Sequence, residues 1–306
     1  MNAETLQTET ALDRKSFADA RKRLHRERRS LIFGRFWSNR LLVIGGLVIS
    51  SLLLVALFAP ALAPFSPYEM DAAQRLQPPS AKHIFGTDNF GRDVFSRVVF
   101  GTRVSIVVGF SVALVTTIVG TVIGLYSAYY KMLDHILMRI CDGLMAFPGI
   151  LLAIALTAAL GSSLVNVVIA LSIISIPTVA RVVRSAALVV KEQVYIEALK
   201  AQGAGSWRIL WLHMAPNTVS PLIIQITYTF AVSVLIEAVL SFLGAGIAPP
   251  SPSLGNILYD GKVVIYTAWW MTVFPGLLIL LSVLGLNLFG DGLRDLLDPY
   301  SNKTRK

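Results

Sequence analysis

The sequence predicts an all-α polytopic membrane protein with six transmembrane helices. Three observations carry this. The 306 residues are 55% hydrophobic and only 15% charged, with a mean hydropathy of +0.66, where a soluble domain carries about 25% charged residues. Several uncharged runs reach the roughly 18 residues needed to cross a bilayer. Lys and Arg gather in the segments between those runs, as a topology signal does. A transmembrane β-barrel would instead show short alternating segments.

The N-terminal region, 1–40, is polar and basic, with RKRLHRERRS followed by LIFGRFW. It reads either as an interfacial helix drawn to anionic membrane lipid or as a basic tail that fixes topology. It is not a secretory signal, because the apolar run comes too late and is too long. That run, 41–63, is the first span.

A polar loop, 64–103, follows, then an uncharged second span at 104–130. This span carries one row of small residues at Ser105, Gly109, Ala113, Thr117 and Thr121, and another at Gly120, Gly124 and Ala128. Such rows let helices approach closely in lipid. The uncharged stretch from Gly143 to Ala180 is too long for one crossing, and Gly161-Ser162-Ser163 divides it into spans near 143–160 and 164–188. A fifth span runs from about Pro216 to Leu243 and a sixth from Ala268 to Gly290, leaving a short tail at 292–306.

Six spans place both termini on one side. With the termini inside, 21 Lys/Arg lie inside and 6 outside, the orientation that the positive-inside rule prefers. Loops 64–103 and 244–267 then face outward. The same distribution explains the net charge of +9 without a nucleic-acid partner. The single cysteine, Cys141, allows no intrachain disulfide and no cysteine metal site.

Several polar residues invite functional readings. His83, Asp88 and Asp93 could suggest a metal or hydrolytic site, but the interleaved Gly86 and Gly91, with Arg92 beside Asp93, point to turns and ion pairs. Glu237 lies in an otherwise uncharged stretch, as does Gln225 deeper in the same span. Intramembrane acids are costly, so Glu237 reads either as a gate or substrate contact or as a hydrogen-bonded tie to loop 244–255. Pro148 and Pro177 fall inside spans three and four as kink sites. Arg181 and Arg184 read as snorkelling side chains. Asp134, Arg139 and Asp142 cluster at the inner end of span three.

The stretch 195–217, YIEALKAQGAGSWRILWLHMAPN, is soluble-looking between two spans. Val194, Ala198 and Ala201, with Tyr195 and Leu199, form an apolar helical face. Glu192 and Lys200 sit favourably for the helix dipole, Glu197 and Lys200 can pair, and Gly203 offers a left-handed stop. Ser206 can cap a second short helix in which Trp207, Leu210 and Trp211 share a face. The apolar faces must be buried against helix ends, lipid headgroups or a partner.

Glu197-Ala198, Gly203, Ile209 and Pro216 resemble the EAA signature of bacterial ABC-importer permeases. Three further stretches carry the resemblance: HIFGTDNFGRDVFSRVVFGTRVSIVVG at 83–109, DHILMRICDGLMAFPGILL at 134–152 and EAVLSFLGAGIAPPSPSLG at 237–255. They are similar to blocks of the C-type permease of the dipeptide/oligopeptide family, and the likeness runs from about residue 30 to the C-terminus. Leu199, Gly205 and the missing proline after His83 depart from the pattern. The resemblance implies a type I ABC importer (MetI-like) fold, with residues 104–291 as a five-helix core and 190–215 as the coupling loop. It implies that Glu197, Ala198, Gly203, Trp207, Leu210 and Trp211 contact an ATPase. It also implies a bacterial inner-membrane, multi-pass subunit with both termini cytoplasmic, working with a second permease, two ATPases and an extracytoplasmic solute-binding protein. The chain has no GxxxxGK[ST] phosphate loop, so ATP and Mg belong to the partner ATPases, and this chain is expected to bind no cofactor. The competing classes are an intramembrane enzyme or channel built on His83/Asp88/Asp93 or Glu237.

Overall fold

A computed structural model describes residue 34 and residues 36–297. The expectations for most of the basic N-terminal region and for the end of the tail lie outside the described residues. Within them the fold is all-helical, with five helices long and apolar enough to cross a membrane and a sixth candidate broken in two.

Helix α1, Arg40–Leu57, is capped by Asn39, whose side chain accepts from the Leu41 and Leu42 amides. A four-residue helix, α2 (Ala59–Leu62), follows. Helix α3, Val94–Tyr129, is 36 residues long. It starts ten residues before the expected second span because Asp93 caps it, accepting from Ser96 N at 2.7 Å. Arg97 and Arg103 break the apolar run but not the helix.

Expected span three is the broken one. Helix α4, Lys131–Met145, and helix α5, Gly149–Leu160, meet at 92°. Pro148 therefore opens α5 and is not a kink inside a continuous span. Its ring fixes φ in the helical range and it lacks only an amide that a first turn leaves unpaired. Gly161, at φ +93°, ends α5. Helix α6, Leu164–Lys191, is capped by Ser163 and runs unbroken past Pro177. Then come α7, Val194–Ala201, and α8, a continuous Ser206–Phe242 helix with a π-helical segment at Ile209–Met214. Helices α9, Leu254–Gly261, and α10, Trp270–Leu297, are the last among the described residues.

The small-residue rows of α3 face its neighbours. Helix α6 packs along α3 more extensively than any other pair in the fold. A Cβ at Gly124 would lie 2.6 Å from the Ala180 carbonyl oxygen and 2.7 Å from Val183 Cβ. Gly124→Ala is thus expected to push α3 and α6 apart, at a cost of about 2 kcal/mol, read as a lowered unfolding temperature in detergent. Gly143→Ala, whose Cβ meets nothing within 4 Å, should be neutral or stabilise by up to roughly 1 kcal/mol. The first and last spans pair in the same way. Gly45 abuts the Phe289 backbone, Gly292 abuts Leu42, and Asn39 Nδ2 donates to the Gly292 carbonyl at 3.3 Å.

Candidate coupling site

The loop between α6 and α8 stands at one end of the bundle. Lys191, the last residue of α6, donates from Nζ to the carbonyls of Ala128 and Tyr129 at 2.9 and 3.2 Å. Glu192 caps the end of α6, so it does not lie at the start of the coupling helix as expected. Helix α7 begins two residues later at Val194. Its packed side is Ile196, fully buried, with Leu199 half-buried against the core that also holds Val183, Leu210 and Met214. The expected face of Val194 and Ala198 is turned outward, with Val194 80% exposed. Lys200 does not pair with Glu197; its ammonium lies 5.9 Å from the Tyr129 ring centroid.

Gly203 ends α7 as read from the sequence, at φ +78°. The Gly203 amide donates to the Lys200 carbonyl and the Ala204 amide to the Leu199 carbonyl, each at 3.0 Å. This is the Schellman arrangement, which satisfies carbonyls that a helix end leaves open. Leu199 and Ala204 pack on the same core, giving the stop its apolar clasp.

Ser206 is the first residue of α8 and makes no cap, with Gly205 holding the cap position. Trp207 is 67% exposed and lies against the half-buried Trp211, ring centroids 5.4 Å apart. Leu210 departs from the expected face. It is 1% exposed, turned into the core with Ile209 and Met214, and cannot reach a partner. The i→i+5 winding of the π segment shifts the register on which the three-residue face was built. The segment also holds Trp211 Nε1 and His213 Nε2, which are buried with no hydrogen-bond partner among the described residues. What faces outward is Tyr195, Glu197, Ala198, Gly203 and Trp207, joined by Leu212. No local pattern pointed to Leu212, since α-helical periodicity does not foresee a wider turn.

The polar residues of the opposite end form a structural lock. Asp88 Oδ2 accepts from Arg92 Nε at 2.6 Å and from Arg97 Nη1, while Oδ1 accepts from the amides of Phe90 and Arg92. Asp260 of α9 joins from 3.3 Å. Burial raises the Asp260 carboxyl above its ordinary range, and Arg97 and Arg92 pull it back. His83 is held between Asp93, at 2.8 Å, and Gln74, at 2.9 Å. The acids and the imidazole are thus consumed by internal pairing. Among the described residues no group of three His, Cys, Asp or Glu side chains could hold a metal ion.

Glu237 of α8 is fully buried and accepts from three hydroxyls: Ser105 at 3.0 Å, Ser241 at 2.9 Å and Ser253 at 2.7 Å. It ties α3 and α8 to loop 244–255, where Ser253 also caps α9. Gln225 is half-buried, three turns deeper along α8. Arg181 and Arg184, read as snorkelling side chains, pair with Asp142 and Asp134 of α4.

The described residues thus form a membrane-crossing helical bundle with a capped helical loop at one end, the setting in which the comparisons with known proteins place a transport permease. The chain belongs to the family of binding-protein-dependent transport system inner membrane components, whose model matches residues 120–302. A second model, the N-terminal transmembrane domain of oligopeptide transport permease C, matches residues 27–79, placing it in the OppC/DppC-like branch. It is 46% identical over 268 residues to a dipeptide transport system permease protein, DppC, of Alkalihalophilus pseudofirmus, covering 87% of this chain and 88% of that protein. It is 43% identical to the glutathione transport system permease protein GsiD of Pectobacterium atrosepticum, covering 87% and 89%. It is 41% identical to a di/tripeptide transport system permease protein, DppC, of Pseudomonas aeruginosa, covering 84% and 87%. The fold resembles an inward-facing structure of the MetNI methionine ABC transporter, with a TM-score of 0.53 at 22% identity over 66% of this chain and 96% of that one. The protein is a non-catalytic, multi-pass inner-membrane permease component of a binding-protein-dependent ABC system.

Proposed function

We propose that this permease carries peptides inward by alternating access, driven through the 192–215 loop by an ATPase docked on it. The observation that carries the reading is the exposed loop surface built around the hydrogen-bonded turn at Gly203. Glu197, Ala198, Gly203, Trp207 and Trp211 form the contact; Leu210 supports it from behind. An exposed Trp207 leaning on Trp211 is the type of aromatic anchor that protein interfaces use. The loop end is cytoplasmic, with both termini, and residues 64–93 and 243–269 face the binding protein. A second permease completes the translocation path, and two ATPases hold the ATP and Mg. Coupling requires that the motor's states contact the loop differently. The peptide cargo is supported by the dipeptide, di/tripeptide and glutathione transporters among the relatives.

The test is Gly203→Val in the full transporter. A Cβ there meets nothing within 4 Å, so the damage comes only from forcing a β-branched residue to φ +78°, a strain of about 2 kcal/mol. The ATPases are expected to be lost on affinity purification, and Gly203→Asn, which tolerates this conformation, should keep them. Retention of the ATPases by the valine variant would sink the proposal.

A further inference from the structure

Helix α6, which delivers the coupling loop, also grips the broken span. Arg184 donates from Nε and Nη2 to the two oxygens of Asp134 at 2.5 and 2.7 Å. Arg181 donates from Nη2 to Asp142 Oδ1 at 2.6 Å. Arg181, Arg184 and Lys191 are three and seven residues apart, which puts them on one face of α6. Lys191 holds the end of α3, and the two arginines hold α4.

The geometry points to a strut. Asp134 and Asp142 lie about 12 Å apart along α4 and their partners about 4.5 Å apart along α6, so the two pairs hold α4 at points about two turns apart. Between them lies a cavity of about 470 Å³ lined by the four paired residues with His135, Met138 and Arg139. Cys141 is the one buried residue of α4, so the ion pairs carry much of the hold between α4 and α6. Beyond the 92° bend, α5 exposes most of its residues but buries Ala153 among Val108, Val167, Leu171 and Leu240, so that end rests on the bundle core and it is α4 that depends on the ion pairs.

We propose that Arg184–Asp134, with Arg181–Asp142, is a charged strut that makes the broken span follow the coupling loop through the transport cycle. The inference rests on the reading of 192–215 as the ATPase socket. Partly exposed ion pairs contribute little to overall stability. Fixed bidentate geometry nonetheless sets direction. Breaking the strut should therefore spare assembly and remove the movement.

The experiment uses the whole transporter, permeases, ATPases and binding protein, in nanodiscs on a Cys141→Ser background. Spin labels go on Met132→Cys, 76% exposed on α4, and Tyr266→Cys, fully exposed at the far end. Pulsed EPR distances are read without nucleotide and with ATP–vanadate. The wild-type distance should shift. Asp134→Arg and Arg184→Asp should each lose the shift while keeping the ATPases, and the reversed pair together should regain it. A shift preserved in the single variants, no shift in the wild type, or no recovery in the reversed pair overturns the strut. Should the charge reversals fail to assemble, Asp134→Asn and Arg184→Gln take their place; failed assembly there too assigns the pair to folding and overturns it. ATPases that stay bound to Gly203→Val would sink the socket reading separately, since that readout does not involve α4.

Discussion

Asp88→Ala should destabilise the permease by about 3–5 kcal/mol, the range for breaking a buried ion pair by removing one partner. The side chain is wholly buried and takes four donors. Without it, Arg97 (1% exposed) and Arg92 (3% exposed) are left facing Asp260 alone. Arg97 already has a buried Nε with no partner among the described residues, so it has no reserve. Loop 64–93 should come away from α9, which limited proteolysis will read as new cleavage in that loop beside a lowered unfolding temperature. Asp88→Asn keeps an acceptor for the turn amides and should lose less. Glu69→Ala, on an exposed side chain, should change stability by no more than about 0.5 kcal/mol. An Asp88→Ala protein as stable as the wild type would mean that the lock holds nothing.

Glu237→Ala should cost about 3 kcal/mol, from three hydroxyls left without an acceptor and the space left by the side chain. Glu237→Gln is the informative partner. Its amide oxygen can take the Oε1 position and keep Ser241 and Ser253, while its NH₂ turns to Ser105 as donor. It should therefore lose about 1 kcal/mol or less and keep transport. A gate that depends on the acid's charge predicts the opposite, a stable Gln variant that does not transport, and the two are separated by measuring unfolding and uptake on the same preparations.

In the coupling loop the helix stop was legible because its signal is local. Gly203 declares a left-handed stop by itself. What was missed depends on distance or on register. Asp260 joins Arg92 across 168 residues, which no local pattern reveals. Ser105, Ser241 and Ser253 look like ordinary small residues until the fold gathers them on Glu237. Leu210 and Trp207 share a face at α-helical pitch, yet the π segment separates them, sending one into the core and the other out. Hydropathy marked the apolar part of α3 and stopped at its arginines, although a helix continues as long as its backbone bonds are made.

The pairing of α1 with α10 bears on how the chain is made. The first span leaves the ribosome more than 200 residues before its glycine-lined mate, counting from Leu57 to Trp270. At about 5–20 residues per second, it waits for roughly 10–40 seconds in the bilayer with that surface unmatched. A nascent chain stopped short of α10 therefore presents an unmated helix groove to whatever surveys the membrane for unfinished proteins.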